Sequence, residues 1–250
     1  PLEASEPYKG LRGLTVERLP LRAQRRDGVR IDGSLDEWMD VPAHLTADQE
    51  RVRDYPEDWT GPDDCSFTTR IAYDTENLYL AIDVNDDKLL LPYSEALHVR
   101  DGIEIFWDPR GPRLGEMSFG GTCRQLILPV PPTGQPMRCR AQDDSGGAAT
   151  NLDWTQGMYR SPASLASAIG VAWQLREGGY VVELAIPFEA IGGEFTPSPG
   201  AVLPLTLFVN DTDDEAQRER GPLSPTSCMV LSGHSHANRD TSTYAVVTFE

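Results

Sequence analysis

Two runs of alternating apolar residues separated by a short turn constrain this chain more than any other feature. Phe67 to Tyr73 and Leu78 to Val84 flank Asp74-Thr75-Glu76-Asn77, and in the second run Leu78, Leu80, Ile82 and Val84 alternate with Tyr79, Ala81 and Asp83. Successive side chains of a strand point to opposite faces, so this pattern predicts a β-hairpin with one buried face. A second hairpin is predicted at Glu177-Gly178-Gly179, between strands over Ile169 to Arg176 and Tyr180 to Pro187. Further strands are expected over Asp101 to Asp108, Arg124 to Val130, Leu203 to Asn210 and Thr243 to Phe249. Helical periodicity is confined to short turns near Glu95 and Phe188. Many short strands with no alternating helices indicate an all-β fold, an antiparallel β-sandwich of immunoglobulin-like or jelly-roll-like type with long loops.

The stretch Asp101-Gly-Ile-Glu-Ile-Phe-Trp-Asp-Pro109 carries both a fold signal and a ligand signal. As a strand it sends Ile103, Ile105 and Trp107 to one face and Glu104, Phe106 and Asp108 to the other. The apolar face must be buried, so the acidic pair is expected on a solvated or shallow binding surface.

The chain is expected to form one main domain over 28–250, preceded at 1–27 by a charged extension or edge segment with Arg22, Arg25 and Arg26 beyond Pro20. In Ile31-Asp-Gly-Ser-Leu-Asp-Glu-Trp38 the Asp-Gly turn is followed by a helical turn capped by Ser34, with Glu37 at capping-box spacing and Trp38 plugging the end of the core. Residues 47–64 are acidic and broken by Pro56, Gly61 and Pro62, which predicts a long surface loop carrying Tyr55 and Trp59. Gln142 to Thr150 and Asp211 to Pro225 are also expected to be loops.

The formal charge of −17 argues against nucleic acid and anionic membranes as partners. No window approaches the roughly 20 apolar residues of a bilayer helix, so membrane insertion is not expected, nor does the first stretch resemble a signal peptide. Cys65, Cys123, Cys139 and Cys228 lack the close spacing of a zinc site. Cys123 and Cys139 lie symmetrically about Pro131-Pro132-Thr133-Gly134, where a hairpin would set them opposite one another for a disulfide; free buried thiols are the alternative.

The ordered set Ile31 to Trp38, Ala72-Tyr-Asp-Thr-Glu-Asn-Leu-Tyr-Leu80, Val84-Asn-Asp86, Asp101 to Asp108, Gly179-Tyr-Val-Val-Glu-Leu-Ala-Ile-Pro187 and Val209-Asn-Asp211 resembles family 9 carbohydrate-binding modules and their DOMON-like relatives. The resemblance spans roughly 30–250. It implies a β-sandwich that binds sugars, often chain ends, in an extracytoplasmic or secreted setting, frequently with structural calcium. The family's sugar-bonding glutamate falls on Glu104, and its basic residue falls on Arg124 or Gln125. Its two sugar-stacking tryptophans fall on His98 and on Asn238, which precedes Arg239, so both aromatic platforms are replaced. Trp59 and Trp154 are the loop aromatics best suited to rebuild one, with Tyr93 and Tyr159 behind them, because sugar C–H faces stack on rings.

Asp83, Asp86 and Asp87, and likewise Asp211, Asp213 and Asp214, form oxygen-rich clusters at strand ends of the kind calcium prefers. The resemblance matches Asp86 to an acidic position of the family's metal-binding corner. His98, His234 and His236 suggest a transition-metal alternative. Glu104 and Glu183 could pair as acid and base in glycoside hydrolysis only if the fold brought them together. The expected function is non-catalytic recognition of a glycan, an oligosaccharide or polysaccharide end. A protein-interaction module is the first rival. A DOMON-like haem domain ligated through His98 and Met117 is the second.

Overall fold

Alternation of apolar and polar residues produces fourteen strands among the described residues. The computed structural model describes residues 18–90, 100–111, 124–131, 137–142, 150–154, 158–160, 168–192, 195–213, 227–233 and 241–250, with backbone alone over 137–160 and at 168. Its strands are β1 (Pro20–Arg25), β2 (Ala43–Thr46), β3 (Cys65–Tyr73), β4 (Asn77–Asp86), β5 (Gly102–Trp107), β6 (Arg124–Pro129) and β7 (Met137–Gln142). They continue as β8 (Thr150–Trp154), β9 (Met158–Arg160), β10 (Ala168–Arg176), β11 (Gly179–Pro187), β12 (Val202–Asp211), β13 (Ser227–Val230) and β14 (Ala245–Phe249). Among the described residues one short α-helix, α1, spans Phe188–Ile191.

The strands make two layers. The first runs β8-β7-β6-β5-β12-β14, with β13 beside β12, and the second runs β3-β4-β11-β10-β9, with β2 beside β3. Strand β1 joins them: Pro20–Ala23 pair with β14 and Gln24–Arg25 with β3, parallel in both cases. The sheet is therefore mixed rather than wholly antiparallel, and the segment expected as an extension or edge is inserted between two strands. Changing partner halfway along β1 curls the sheet so that its faces close on one core.

The inward rows are those the alternation predicts. Ile103, Ile105 and Trp107 of β5 meet Leu80, Ile82 and Val84 of β4 in one cluster of buried side chains. Trp107 is fully buried and its indole donates to the Ile191 carbonyl at 3.0 Å. Both predicted hairpins form, β3–β4 and β10–β11.

Several expectations fail for reasons of packing. Trp38 does not plug the end of the core; it is buried on the outer face of the second sheet with Val41, Ala72, Tyr79 and Ala81. Ser34 Oγ accepts from the Asp36 amide at 3.2 Å, but no capping box closes the Asp36–Trp38 turn, because Glu37 accepts from the Arg30 amide at 3.0 Å instead. The described register of β6 and β7 is Gln125↔Gln142, Leu126↔Ala141 and Ile127↔Arg140. Cys123 and the side chain of Cys139 lie outside the described residues. Cys65 and Cys228 are buried free thiols.

Candidate functional site

The face of β5 that carries Glu104 is largely covered, leaving little of it to solvent. Glu104 retains only 7% exposure, and Phe106 beside it joins Phe208, Cys228, Val230 and Tyr244 in a second apolar cluster. The register explains this: Glu104 pairs with Phe208 of β12, and β13 flanks β12 on its other side. The 47–64 loop closes over the same place, since Val52 bridges to Met229 and the Arg53 amide donates to the Cys228 carbonyl at 2.7 Å.

A carboxylate in such a place needs donors. Glu104 has one for each oxygen: Asn210 Nδ2 donates to Oε1 at 3.0 Å and Gln125 Nε2 to Oε2 at 2.8 Å. Each oxygen keeps a further lone pair for a ligand. Arg53 lies over the Phe208 ring, its guanidinium carbon 4.8 Å from the centroid, and is gripped by Asp54. Burial works against its charge, but Cys228, Asp54 and Glu104 favour it and the balance raises its pKa.

Of the two basic-position candidates the structure brings only Gln125 to Glu104. Arg124 alternates with it and turns inward, so near Gly192 that a Cβ there would strike its guanidinium. Asn210 and Arg53 were not anticipated. Asn210 stood in the Val209-Asn-Asp211 motif, whereas nothing local marked Arg53, whose place depends on how a loop packs. Trp59 is committed elsewhere: its indole donates to the Cys65 carbonyl at 2.8 Å and its ring packs against the inner core. Trp154 ends β8, where the backbone pairs with Met137. His98, Met117, His234, His236, Asn238, Arg239, Tyr93 and Asp214 lie outside the described residues, as do the side chains of Trp154 and Tyr159.

Three inward-facing rows end on an aspartate at one end of the sandwich. Asp86 follows Val84 on β4, Asp101 precedes Ile103 on β5, and Asp211 follows Val209 on β12; all are buried, with carboxylate oxygens within 4.8 Å of one another. A second group, Asp64, Asp87 and Asp213, lies alongside. Backbone donors hold parts of the first group: Lys88 N on Asp86 at 3.0 Å, Thr212 N on Asp101 at 2.7 Å, and Leu90 N on Asp101. Asp86 Oδ2, Asp211 Oδ1 and the Tyr180 hydroxyl are buried without a hydrogen-bond partner among the described residues. Burial, with Asp213, Asp87 and Asp64 adding repulsion, pushes Asp86 up to about 7. Burial likewise lifts Asp211 to about 8 and Asp101 well above the ordinary range. The Tyr180 hydroxyl is raised by burial and then by Asp86, Cys65, Asp101 and Asp211, which places it against the same group.

Asp83 does not belong to this corner. It faces outward and pairs with Arg176 at 2.9 Å, because it lies three positions, an odd offset, before Asp86 on the same strand. Glu183 is no partner for Glu104 either. It sits on the outer face of the second sheet, accepting from Trp38 Nε1 at 2.6 Å, from the Asp32 amide at 2.9 Å and from the Gly33 amide. The whole core separates the two carboxylates, so this pairing cannot act as acid and base.

The fold and its polar face define a β-sandwich binding domain. The family model described as carbohydrate family 9 binding domain-like matches residues 31–122 and 141–225, and the chain belongs to that family. It is 28% identical over 149 residues to endo-1,4-β-xylanase A of Thermotoga neapolitana, covering 60% of this chain and 11% of that protein. It is 26% identical over 194 residues to exoglucanase XynX of Acetivibrio thermocellus, covering 75% and 14%. The chain thus spans a small fraction of the length of these relatives. Among solved structures it resembles a family 9 carbohydrate-binding module from Caldicellulosiruptor kristjanssonii in complex with glucose, with TM-score 0.59, 15% identity and coverage of 92% of this chain and 95% of that one. The same module with cellotriose gives 0.57 at 15% identity, covering 92% and 93%. At that identity the likeness shows the fold.

Proposed function

We propose that this chain is a non-catalytic sugar-recognition module whose ligand sits on the Glu104 face. The observation that carries this reading is the Glu104 carboxylate held between Gln125 and Asn210, an oriented acceptor inside a domain of a carbohydrate-binding family. Sugar hydroxyls donate to fixed carboxylates and accept from side-chain amides, and a pre-organised set loses less entropy on binding. Each hydrogen bond exchanged against water contributes only about 0.5 to 1.5 kcal/mol, so a few of them give an affinity of about 0.1 to 1 mM. Titrating glucose, cellotriose and a broader set of oligosaccharides by NMR tests this. Binding that disappears in Glu104→Ala supports the site, binding unchanged in that variant places it elsewhere, and no binding at all removes the sugar reading in favour of a protein-interaction module.

We infer from the acidic corner a site for a structural calcium ion. Asp86, Asp101 and Asp211 would hold it, and Asp87, with Asp64 and Asp213, extends the oxygen-rich surroundings. The residues fit: calcium takes hard oxygen donors, and buried carboxylate oxygens without partners are costly until a cation satisfies them. When bound, the ion would neutralise three converging carboxylates and tie β4 and β5 to β12. Its role would be structural. The curated relatives, a xylanase and an exoglucanase, support a role beside glycan-degrading enzymes outside the cytoplasm. Among the described residues no helix is long and apolar enough to cross a membrane.

A further inference from the structure

Among the described side chains, the strands of the Glu104 face supply an acceptor and two amides but no cation, since Arg124 is turned inward against Gly192. A loop from the other side of the molecule brings one. We propose that Arg53 is a ligand-contacting residue of this site, donating from Nη1 to a sugar hydroxyl, and that with Asp54 and Glu104 it selects neutral sugars over acidic ones. The proposal rests on the sugar-binding reading above.

Three observations place Arg53. Its backbone is pinned to β13 by the Val52↔Met229 bridge and by the bond from its amide to the Cys228 carbonyl at 2.7 Å. Its guanidinium lies 4.8 Å from the centroid of Phe208, and Phe208 is the residue directly opposite Glu104 in the β5–β12 register. Its fork is engaged along one edge, where Asp54 Oδ2 accepts from Nε at 2.7 Å and lies 2.6 Å from Nη2. Nη1 has no partner among the described residues, and the side chain retains 13% exposure. A guanidinium is planar, with five donors in fixed directions, so stacking on Phe208 and clamping by Asp54 leave the Nη1 donors pre-aimed. The free N–H groups then stand near a carboxylate that accepts, which suits neighbouring sugar hydroxyls of which one donates to Glu104 and another accepts from Arg53.

The balance of charge decides what such a site rejects. Among the described side chains two carboxylates, Glu104 and Asp54, surround one guanidinium, so a ligand bringing a carboxylate of its own meets net repulsion in a poorly hydrated place. A neutral pyranose meets none. Rejection by like-charge repulsion needs no aromatic platform, which is consistent with a site whose described residues offer hydrogen bonds.

The test is an NMR titration of the full chain and of Arg53→Lys, Arg53→Met and Glu104→Ala with glucose, cellotriose and glucuronate. Lysine keeps the charge and an aliphatic stem over Phe208 but loses the fork, so it decides the matter if the methionine variant fails to fold. The expected result is a loss of about tenfold in affinity for the neutral sugars in Arg53→Met, a smaller loss in Arg53→Lys, and glucuronate about tenfold weaker than glucose in the native chain. Neutral-sugar affinity within about twofold of native in the folded Arg53 variants, with binding lost in Glu104→Ala, overturns the role of Arg53 and leaves the sugar site standing. Glucuronate bound as tightly as glucose overturns the selection by charge. A native chain that binds neither sugar overturns both this proposal and the reading beneath it.

Discussion

Asn210 reaches Glu104 diagonally: its amide donates to Oε1 at 3.0 Å although the strand register sets Asn210 opposite Gly102 and gives Glu104 to Phe208. The contact joins residues 106 positions apart in the chain and orients the carboxylate around which the proposed site is built. Removing the amide leaves one oxygen of a nearly buried carboxylate without its donor. Asn210→Ala is therefore expected to cost about 1 to 3 kcal/mol in stability, read as the midpoint shift in urea unfolding, and to weaken sugar binding. Full retention of both would mean that Asn210 does not position Glu104.

Trp107 fills the inward row of β5 and also satisfies the Ile191 carbonyl, tying α1 to the sheet. Trp107→Ala creates a large cavity and orphans that carbonyl, with an expected cost of about 3 to 5 kcal/mol. An unaltered thermal midpoint would exclude this residue from the core.

For the acidic corner the sign of the pH dependence is fixed by the direction of the shifts. Asp86 and Asp211 stand at about 7 and about 8 in the folded chain against an ordinary 3.8. The folded state therefore holds more protons than the unfolded one between those values. Their contribution to stability is complete below the ordinary carboxylate pKa and is lost as pH rises through the folded values. In a chelator, the melting temperature should fall as pH rises from about 5 to about 8. Calcium, by taking the place of the protons, should flatten that slope and raise the melting temperature in proportion to free ion. Melting curves that coincide with calcium and with chelator, on metal-stripped protein, would reduce the corner to a protonated cluster.

Asp86→Ala and Asp83→Ala separate the corner from its neighbour on the same strand. The first should remove most of the response to calcium. The second breaks only the half-exposed pair with Arg176 and should leave that response intact, with a stability change of about 1 kcal/mol or less. An equal loss in both would show that strand β4 as a whole, rather than its inward face, determines cation binding.

Glu183 accepts from Trp38 and from two amides of the Asp32-Gly33 turn, so Glu183→Ala leaves several donors unsatisfied on the outer face of the second sheet. A cost of about 3 kcal/mol is expected. Because the core lies between Glu183 and Glu104, sugar affinity of the folded fraction should stay unchanged. A selective loss of affinity would contradict this separation.

Strand alternation is a local property, and the sequence alone determined what depends on it: the two hairpins, the inward row Ile103, Ile105 and Trp107, and the all-β class. The ordered motifs also pointed to the family to which the chain belongs. What covers the other side of a strand is a long-range matter. Alternation put Glu104 opposite the core, but only the pairing of β5 with β12, the neighbouring β13 and the closing loop made that face buried and brought Asn210 and Arg53 to it. The same limit applies to the acidic corner. Asp83, Asp86 and Asp87 looked equivalent as a run of carboxylates, whereas strand parity sends Asp86 inward and Asp83 to Arg176. Asp86, Asp101 and Asp211 converge because three inward rows from distant parts of the chain end at the same level, a coincidence of register that tertiary structure alone decides.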